Sequence, residues 1–507
     1  MTNTNSGGHA GPGSHMLRGS AWMIGLRWAV RLIGVISTVV LARLLTPDDF
    51  GVVAIAMIVV GMFEMLSDTG QGAAIIRHRD PTRDHYDTAW TIYVGVGFAI
   101  GAAIFLIAPL TSVYFHDERS VLVMQCLSVR AVLSGLENIG VLDFKRDLQF
   151  GSVFGYTFYA RVFSFVVTIS LAFLLRNYWA LVAGILSGQL ARTVLSYAMH
   201  PYRPRLSVAK MSDIFSFSIW IFIRSIGTYL QRQVDAIAVG GAAGTATMGR
   251  YTVAKDLAAS PTEEIVAPMV TVLFPVMAKY SHDLMQLREL YLRAIGWSWI
   301  IGVSTGLGLW LVAPDLVPLV LGSKWISITP FIGWLAVETS SASLSMAAYT
   351  ILDVRGLPHL GARMQWLRLV MLGLAIFPVA YLTGDLLTIV IVRLIVTVLV
   401  IPSLLVVAGR SIEVGVKDYV AAMWRASAAG AVMAVAVLSL NQLIQISGPV
   451  RLGSDVIVGA GVYVGTLMIL WVTSGRPVSA EQDVLTIVSR GWNAWDAIRA
   501  RAPNMVR

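Results

Sequence analysis

A chain of 507 residues that is 56% hydrophobic and only 13% charged, with a mean hydropathy of +0.71, is too apolar for a soluble globular protein. Its net charge of +9 would suit a nucleic-acid partner in a soluble protein, but the basic residues collect in short loops between apolar runs. There they read as topology signals, and no nucleic acid is expected. The one cysteine, Cys126, excludes an intramolecular disulfide and reads as a small buried hydrophobe.

Residues 1–16, MTNTNSGGHAGPGSHM, are rich in Gly and Ser and lack the basic and apolar regions of a signal peptide. They are expected to form a disordered leader, and GSHM within them resembles a cloning remnant. Apolar runs of about 20 residues, the length that crosses a bilayer, then follow one another along the chain. Six fall at 20–45, 50–67, 87–109, 120–141, 151–175 and 178–199, predicting a first lobe over 17–200. Six more, at 214–240, 249–276, 291–313, 328–351, 362–383 and 386–408, predict a second lobe over 201–410. A last pair at 418–443 and 455–474 occupies 411–475, which gives fourteen spans in an all-α polytopic membrane protein. The remaining residues, 476–507, place Val484, Ile487, Val488, Trp492 and Trp495 at near-helical spacing, as an interfacial or partner-binding amphipathic helix in a cytoplasmic tail would.

The two lobes share a pattern. Displacing RLLTPDDFGVVAIA (43–56) by 198 residues brings Gly51 onto Gly249, Val53 onto Tyr251 and Ala56 onto Ala254, while Ser20 and Trp22 fall on Ser218 and Trp220. Each copy is an apolar segment with arginines, a tight polar turn, and a Gly opening the next apolar segment. Internal repeats of this length point to a transporter with its site between the halves. Arginines and lysines alternate between rich and poor loops: Arg77, Arg79, Arg83, Lys145, Arg146, Arg203, Arg205 and Lys210 lie on one side, and single residues such as Arg119, Lys324 and Arg451 on the other. The positive-inside rule then puts both termini in the cytoplasm.

No GxxxxGK[ST], HExxH or CxxC pattern is present, so the sequence supplies no nucleotide-binding loop and no metal site, and no cofactor is expected. Nor is any loop long enough for a soluble catalytic domain. The chain is expected to move something rather than to act as an enzyme.

ARLLTPDDFGVVAIA, the following LSDTGQGAAIIRHRD, and QRQVDAIAVGGAAGTATMGRYTVAKDLAASPTEEIVAPMVTVLFPVMAKY together resemble bacterial polysaccharide flippases. These are the Wzx-like transporters of the superfamily that also holds multidrug antiporters. The resemblance covers roughly residues 17–290 and is hydropathic beyond. It implies two pseudo-symmetric six-helix bundles plus two C-terminal helices, opening alternately to each side of the bacterial inner membrane. It implies as cargo a polyprenyl-pyrophosphate-linked oligosaccharide for exopolysaccharide, capsule or O-antigen biosynthesis, and as partners the polymerase and chain-length machinery of the same pathway.

Such a cargo needs cations within the membrane, and an arginine fork binds phosphate oxygens in pairs. Arg27 and Arg31 share a face of the first span, roughly 12 and 18 Å from its start at 1.5 Å per residue. Arg224 lies at matching depth in the seventh. These three are expected to line a cationic cavity. Arg130, Arg161 and Arg393 also sit inside spans, either as cavity cations or as structural ion pairs and snorkelling side chains. Among the acids, Glu64 and Glu263 are repeat counterparts accompanied by Asp68 and Glu264. They read either as gate groups meeting bases of the opposite lobe or as local partners of Arg77 and Lys279. Asp235, Glu338, Lys255 and Asp256 are candidate coupling sites, although Asp235 also suits neutralisation of Arg232. Pro261 and Pro268 suggest hinges, and Trp22, Trp90, Trp179, Trp220, Trp297 and Trp325 suggest interfacial anchors. The competing functions are a cation-coupled multidrug exporter of the same superfamily, which favours an acidic cavity, and a membrane-embedded polymerase or ligase, which needs a large outer loop.

Overall fold

A computed structural model describes residues 12–67, 81–147, 149–211, 219–443, 448–477 and 479–482. The described residues are helical almost throughout, with no strand. The long helices are α1 (Pro12–Leu44), α2 (Pro47–Ser67), α3 (Arg83–Phe115), α4 (Arg119–Gly135), α5 (Phe150–Leu175), α6 (Trp179–Met199) and α7 (Ile219–Lys279). They continue with α8 (Leu284–Val320), α9 (Thr329–Val354), α10 (Pro358–Thr383), α11 (Leu386–Arg410), α12 (Val416–Leu443) and α13 (Pro449–Thr473). Helix α7 leaves helical geometry at Gly244, with φ 77° and ψ 172°, and so comprises two arms. Counted this way, the helices match the fourteen expected spans. Eight are long and apolar enough to cross a membrane by length and composition alone. The rest are shorter or more polar; α9, for instance, carries Glu338, Ser340, Ser343 and Ser345 on buried positions.

Helix lengths depart from the hydropathy expectation where a helix runs on past its apolar core. Helix α3 has 33 residues and α8 has 37, both longer than the apolar runs inside them. The fourth span ends early, at Gly135. Asn138 stops it there by accepting a bond from the Gly140 amide and donating its own side-chain amide to Tyr202 O at 2.7 Å. Helix α1 begins at Pro12, so residues 12–16 of the expected leader are helical; proline is tolerated in a first turn, whose amides have no partner in any case. The expected hinges at Pro261 and Pro268 are not breaks, because the second arm of α7 stays helical through both and through Pro275. Proline costs the helix a bond there, but the break falls on Gly244, where positive φ carries no Cβ penalty.

The chain divides into two compact units, Met1–Arg250 and Tyr251–Arg507. The core of the first is built by α2, α3 and α4, where Val52, Ala56 and Val60 meet Ile104, Ala108, Met124 and Leu127, with Cys126 packed against them. The unit runs on to Arg250 because the first arm of α7 is tied to α2, as when the Tyr229 hydroxyl donates to Ile58 O at 2.5 Å. In the second unit, Tyr291 and Ile295 of α8 pack on Leu344, Ala347 and Ile351 of α9 and Leu404 and Ala408 of α11. Ile300 and Val303 of α8 hold α12 and α13 through Ala426, Ala429, Met433, Tyr463 and Leu467. Between helices in lipid such contacts act through van der Waals packing, since lipid tails are as apolar as these side chains. Trp325, expected at the interface, is instead fully buried in the short helical turn Ser323–Ile328.

Candidate functional site

The turn of the first repeat is a capped helix start. Pro47 occupies the first position of α2, the Thr46 amide donates to Asp49 Oδ2 at 2.9 Å, and the Asp49 amide donates back to Thr46 Oγ1 at 3.3 Å. This reciprocal arrangement serves two groups a helix N-terminus otherwise leaves unpartnered. Asp49 is buried and its other oxygen accepts the Tyr178 amide at 3.0 Å, which fixes the turn to the start of α6. One turn on, the two glycines that the repeat superposes meet. A Cβ on Gly51 would lie 1.8 Å from Thr245 O, and a Cβ on Gly249 would lie 1.8 Å from Pro47 O. Only glycine allows this backbone-on-backbone crossing. Asp48 closes over it by accepting from Thr245 Oγ1 at 2.5 Å and pairing with Arg119 at 2.6 Å; Arg119 also holds Asp117 at 2.7 Å.

Deeper in the first unit, ionisable groups from four helices converge. Arg130 of α4 pairs with Glu64 of α2 at 3.0 Å. Beside it, Glu137 accepts from Gln189 of α6 at 2.6 Å and from the Tyr156 hydroxyl of α5 at 2.7 Å, with Arg192 of α6 at 3.6 Å. Glu64 thus meets a base of its own unit. Arg27, exposed, and Arg31, half-buried, lie four residues apart on α1, and Gly34 follows three residues later on the same stripe. Arg161 reaches over from α5, its Nη2 lying 3.5 Å from where a Gly34 Cβ would be. Its side chain is exposed, and among the described residues it has no ion pair or hydrogen bond. Arg224 lies on α7, but its side chain is outside the described residues, and so is Asp68 entirely. Asp235 is fully buried, with the Ala236 amide bonded to it at 2.9 Å.

The second unit has its own charged centre. Glu338 of α9 takes Arg368 of α10 at 3.1 Å, Arg393 of α11 at 3.2 Å and the Thr397 hydroxyl at 2.8 Å, and Arg368 also donates to Thr397 at 3.1 Å. The Glu338 side chain is 2% exposed and those of Arg368 and Arg393 are 6% and 11%, so two guanidiniums share one carboxylate away from solvent. Arg393 and Glu338, expected in different roles, are partners. Glu263, expected with Glu64 as a gate group, is exposed on the second arm of α7. Sequence reasoning missed Glu137, Tyr156, Gln189, Arg192 and Arg368. Arg192, Glu137 and Arg368 carried the same signal as the residues it chose, an ionisable side chain inside an apolar run. Tyr156 and Gln189 carried none.

The profile of a family described as "Polysaccharide biosynthesis protein" matches residues 40–330. Among curated relatives, the lipopolysaccharide biosynthesis protein WzxC of Escherichia coli (strain K12) is 26% identical over 313 residues, which cover 60% of this chain and 63% of that protein. The succinoglycan biosynthesis transport protein ExoT of Rhizobium meliloti (strain 1021) is 23% identical over 305 residues, covering 59% and 61%. The chain therefore spans somewhat less than two thirds of the length of these relatives. Among solved structures, the lipid II flippase MurJ in an inward closed conformation superposes with a TM-score of 0.69 at 11% identity, over 91% of this chain and 100% of that one. That likeness shows a shared helical fold.

Proposed function

Because the chain belongs to the polysaccharide biosynthesis protein family, we propose that it flips a polyprenyl-pyrophosphate-linked oligosaccharide from the cytoplasmic to the outer leaflet of a bacterial inner membrane. The observation that carries this reading is the sign of the charge at membrane depth. Glu64, Glu137 and Glu338 are each held by arginine, Glu338 by two, while Arg161 has no counter-charge among the described residues. An uncompensated guanidinium facing lipid at that depth costs at least about 2.5–3.5 kcal/mol. It is favourable facing water and a phosphate anion, where a planar fork binds two oxygens at once.

Arg27 and Arg31 extend that cationic surface along α1, and the polyprenyl chain stays in lipid. No bond of the cargo changes, so the work is movement by alternating access, and the balanced pair Glu64–Arg130 and the Glu338 cluster are the groups whose rearrangement would accompany it. Both termini lie in the cytoplasm on this reading, and the polymerase receives the product on the other side. The exporter alternative requires acids available to a cationic drug, and the three carboxylates above already hold arginine.

The test is complementation of a strain lacking the gene with wild type, Arg27→Ala, Arg31→Ala, Arg161→Ala and Arg224→Ala at matched membrane levels. Surface polysaccharide and cytoplasmic-face lipid-linked oligosaccharide are both quantified. Loss of polymer with accumulation of the unflipped intermediate in the deletion strain and in the arginine variants is the expected result. Normal polymer in the deletion strain would overturn the function; normal polymer in all four variants would overturn the site.

A further inference from the structure

Most glycines at helix contacts in the first unit face backbone or a rigid ring. The space beside Gly51 is closed by Thr245 O, and that beside Gly61 by the Tyr229 ring. Gly34 is different. Among the described residues, the one atom outside its own helix's backbone within 4 Å of its missing Cβ is the Nη2 of Arg161, at 3.5 Å, and that atom is the tip of a flexible side chain from another helix. Close helix packing therefore does not account for glycine at this position. What glycine does provide is the volume a longer side chain would take from the guanidinium.

The place matters because of what lies next to it. Arg27, Arg31 and Gly34 form one stripe on α1, with intervals of four and three residues, so Gly34 stands about 4.5 Å beyond Arg31 along the axis. Arg161, entering over Gly34, supplies from α5 a guanidinium that continues the α1 stripe. Arg130 and Arg192 of the same unit are engaged by Glu64 and Glu137, whereas Arg161 meets no carboxylate among the described residues.

We propose that Gly34 is a positioning residue: it seats the Arg161 guanidinium beside Arg31, so that forks from two helices together form a seat for the two adjacent phosphates of a pyrophosphate headgroup. The proposal rests on the flippase reading and adds to it a preference, pyrophosphate over monophosphate, and the residue that sets it. One fork suits one phosphate; two forks held a helical turn apart suit a pair. Arg31 alone would bind either lipid about equally.

Purified full-length protein in detergent is titrated with farnesyl pyrophosphate and farnesyl monophosphate. Wild type should bind the pyrophosphate at least tenfold more tightly. Gly34→Ala, whose Cβ would sit at ordinary contact distance, should keep that preference. Gly34→Leu and Arg161→Ala should each reduce it to about one, and the double variant should be no worse than Arg161→Ala alone. Arg161→Lys should retain affinity but lose discrimination, since an ammonium is a point charge. Should Gly34→Leu fail to fold by size-exclusion chromatography, Gly34→Ser, one atom longer than Ala, takes its place with an intermediate loss expected. An unchanged preference in the folded Gly34 variant, or losses that add in the double variant, would overturn the proposal while leaving the flippase reading intact. Wild type that binds neither lipid would instead overturn the reading beneath it.

Discussion

Glu338 holds two arginines from two other helices, so removing it differs in kind from removing either partner. Glu338→Leu takes from two buried guanidiniums the carboxylate they share and should destabilise the protein by about 3–5 kcal/mol. Arg393→Leu leaves Glu338 with Arg368 and Thr397 and should cost less. Chemical unfolding in detergent micelles orders the two, and an equal loss would show that the cluster is not shared in this way. At Glu64, reversal to arginine opposes Arg130 at 3.0 Å and should impair transport, while Glu64→Arg with Arg130→Glu should recover a substantial part. A double variant no better than the single one would remove the pair from the working mechanism. The identity of such residues is legible in the amino-acid sequence, because an ionisable group inside an apolar run is costly and needs a reason. Their pairing is not. Glu338 and Arg393 lie on separate helices, and nothing in a one-dimensional pattern says that they meet, or that Arg368 completes the set.

Among elements, the start of α11 is fixed by Asp385, which accepts the amides of Leu387 and Thr388 and the Thr388 hydroxyl at 2.6 Å. The Thr388 side chain and amide hold its carboxyl below the usual 3.8. A depressed folded pKa means that this cap contributes fully above the unfolded value and loses its contribution as pH falls through the folded one. Asp385→Asn, still a good cap, should therefore flatten the acid limb of stability below about pH 4 while changing stability at pH 7 little. Thermal unfolding at a series of pH values reads this directly, and an unchanged acid limb would exclude the cap as a contributor. The crossing of α2 with the chain at Thr245 has no such tolerance. Gly51→Val must push backbone apart, at about 1–3 kcal/mol for overpacking, and should abolish transport in the complementation assay. Full activity would mean that the crossing is dispensable. Hydropathy found these helices because apolar thickness is what it measures, and for the same reason it missed the polar extensions of α3 and α8. The repeat displacement paired Gly51 with Gly249, but physical contact between the paired residues was a fact of three dimensions.

For the whole molecule, the alternation of basic loops makes a prediction about sidedness. In a Cys126→Ala background, single cysteines at Arg83 or Lys210 should resist an impermeant thiol reagent applied to intact spheroplasts, while those at Lys324 or Arg451 should react. The opposite pattern would invert the topology and with it the direction of transport. Helix number and membrane class followed from composition and periodicity, since each span must satisfy its backbone internally and bury its own length. The extent of the first compact unit did not, because Tyr229 and Thr245 join α7 to α2 by hydrogen bonds that leave no periodic trace.

The last described residues bear on how the protein can be cut and tagged. The chain turns at Gly475 and Arg476, both at positive φ, and returns to its own unit, where Ala480 is 2% exposed and Glu481 pairs with buried Arg425 of α12 at 2.7 Å. What hydropathy assigned wholly to a tail from residue 476 is thus in part a keystone. A stop codon placed straight after the final span would strip Arg425 of Glu481 and should lower the yield of folded protein. Truncations and fusion junctions should therefore leave the Arg425–Glu481 pair intact.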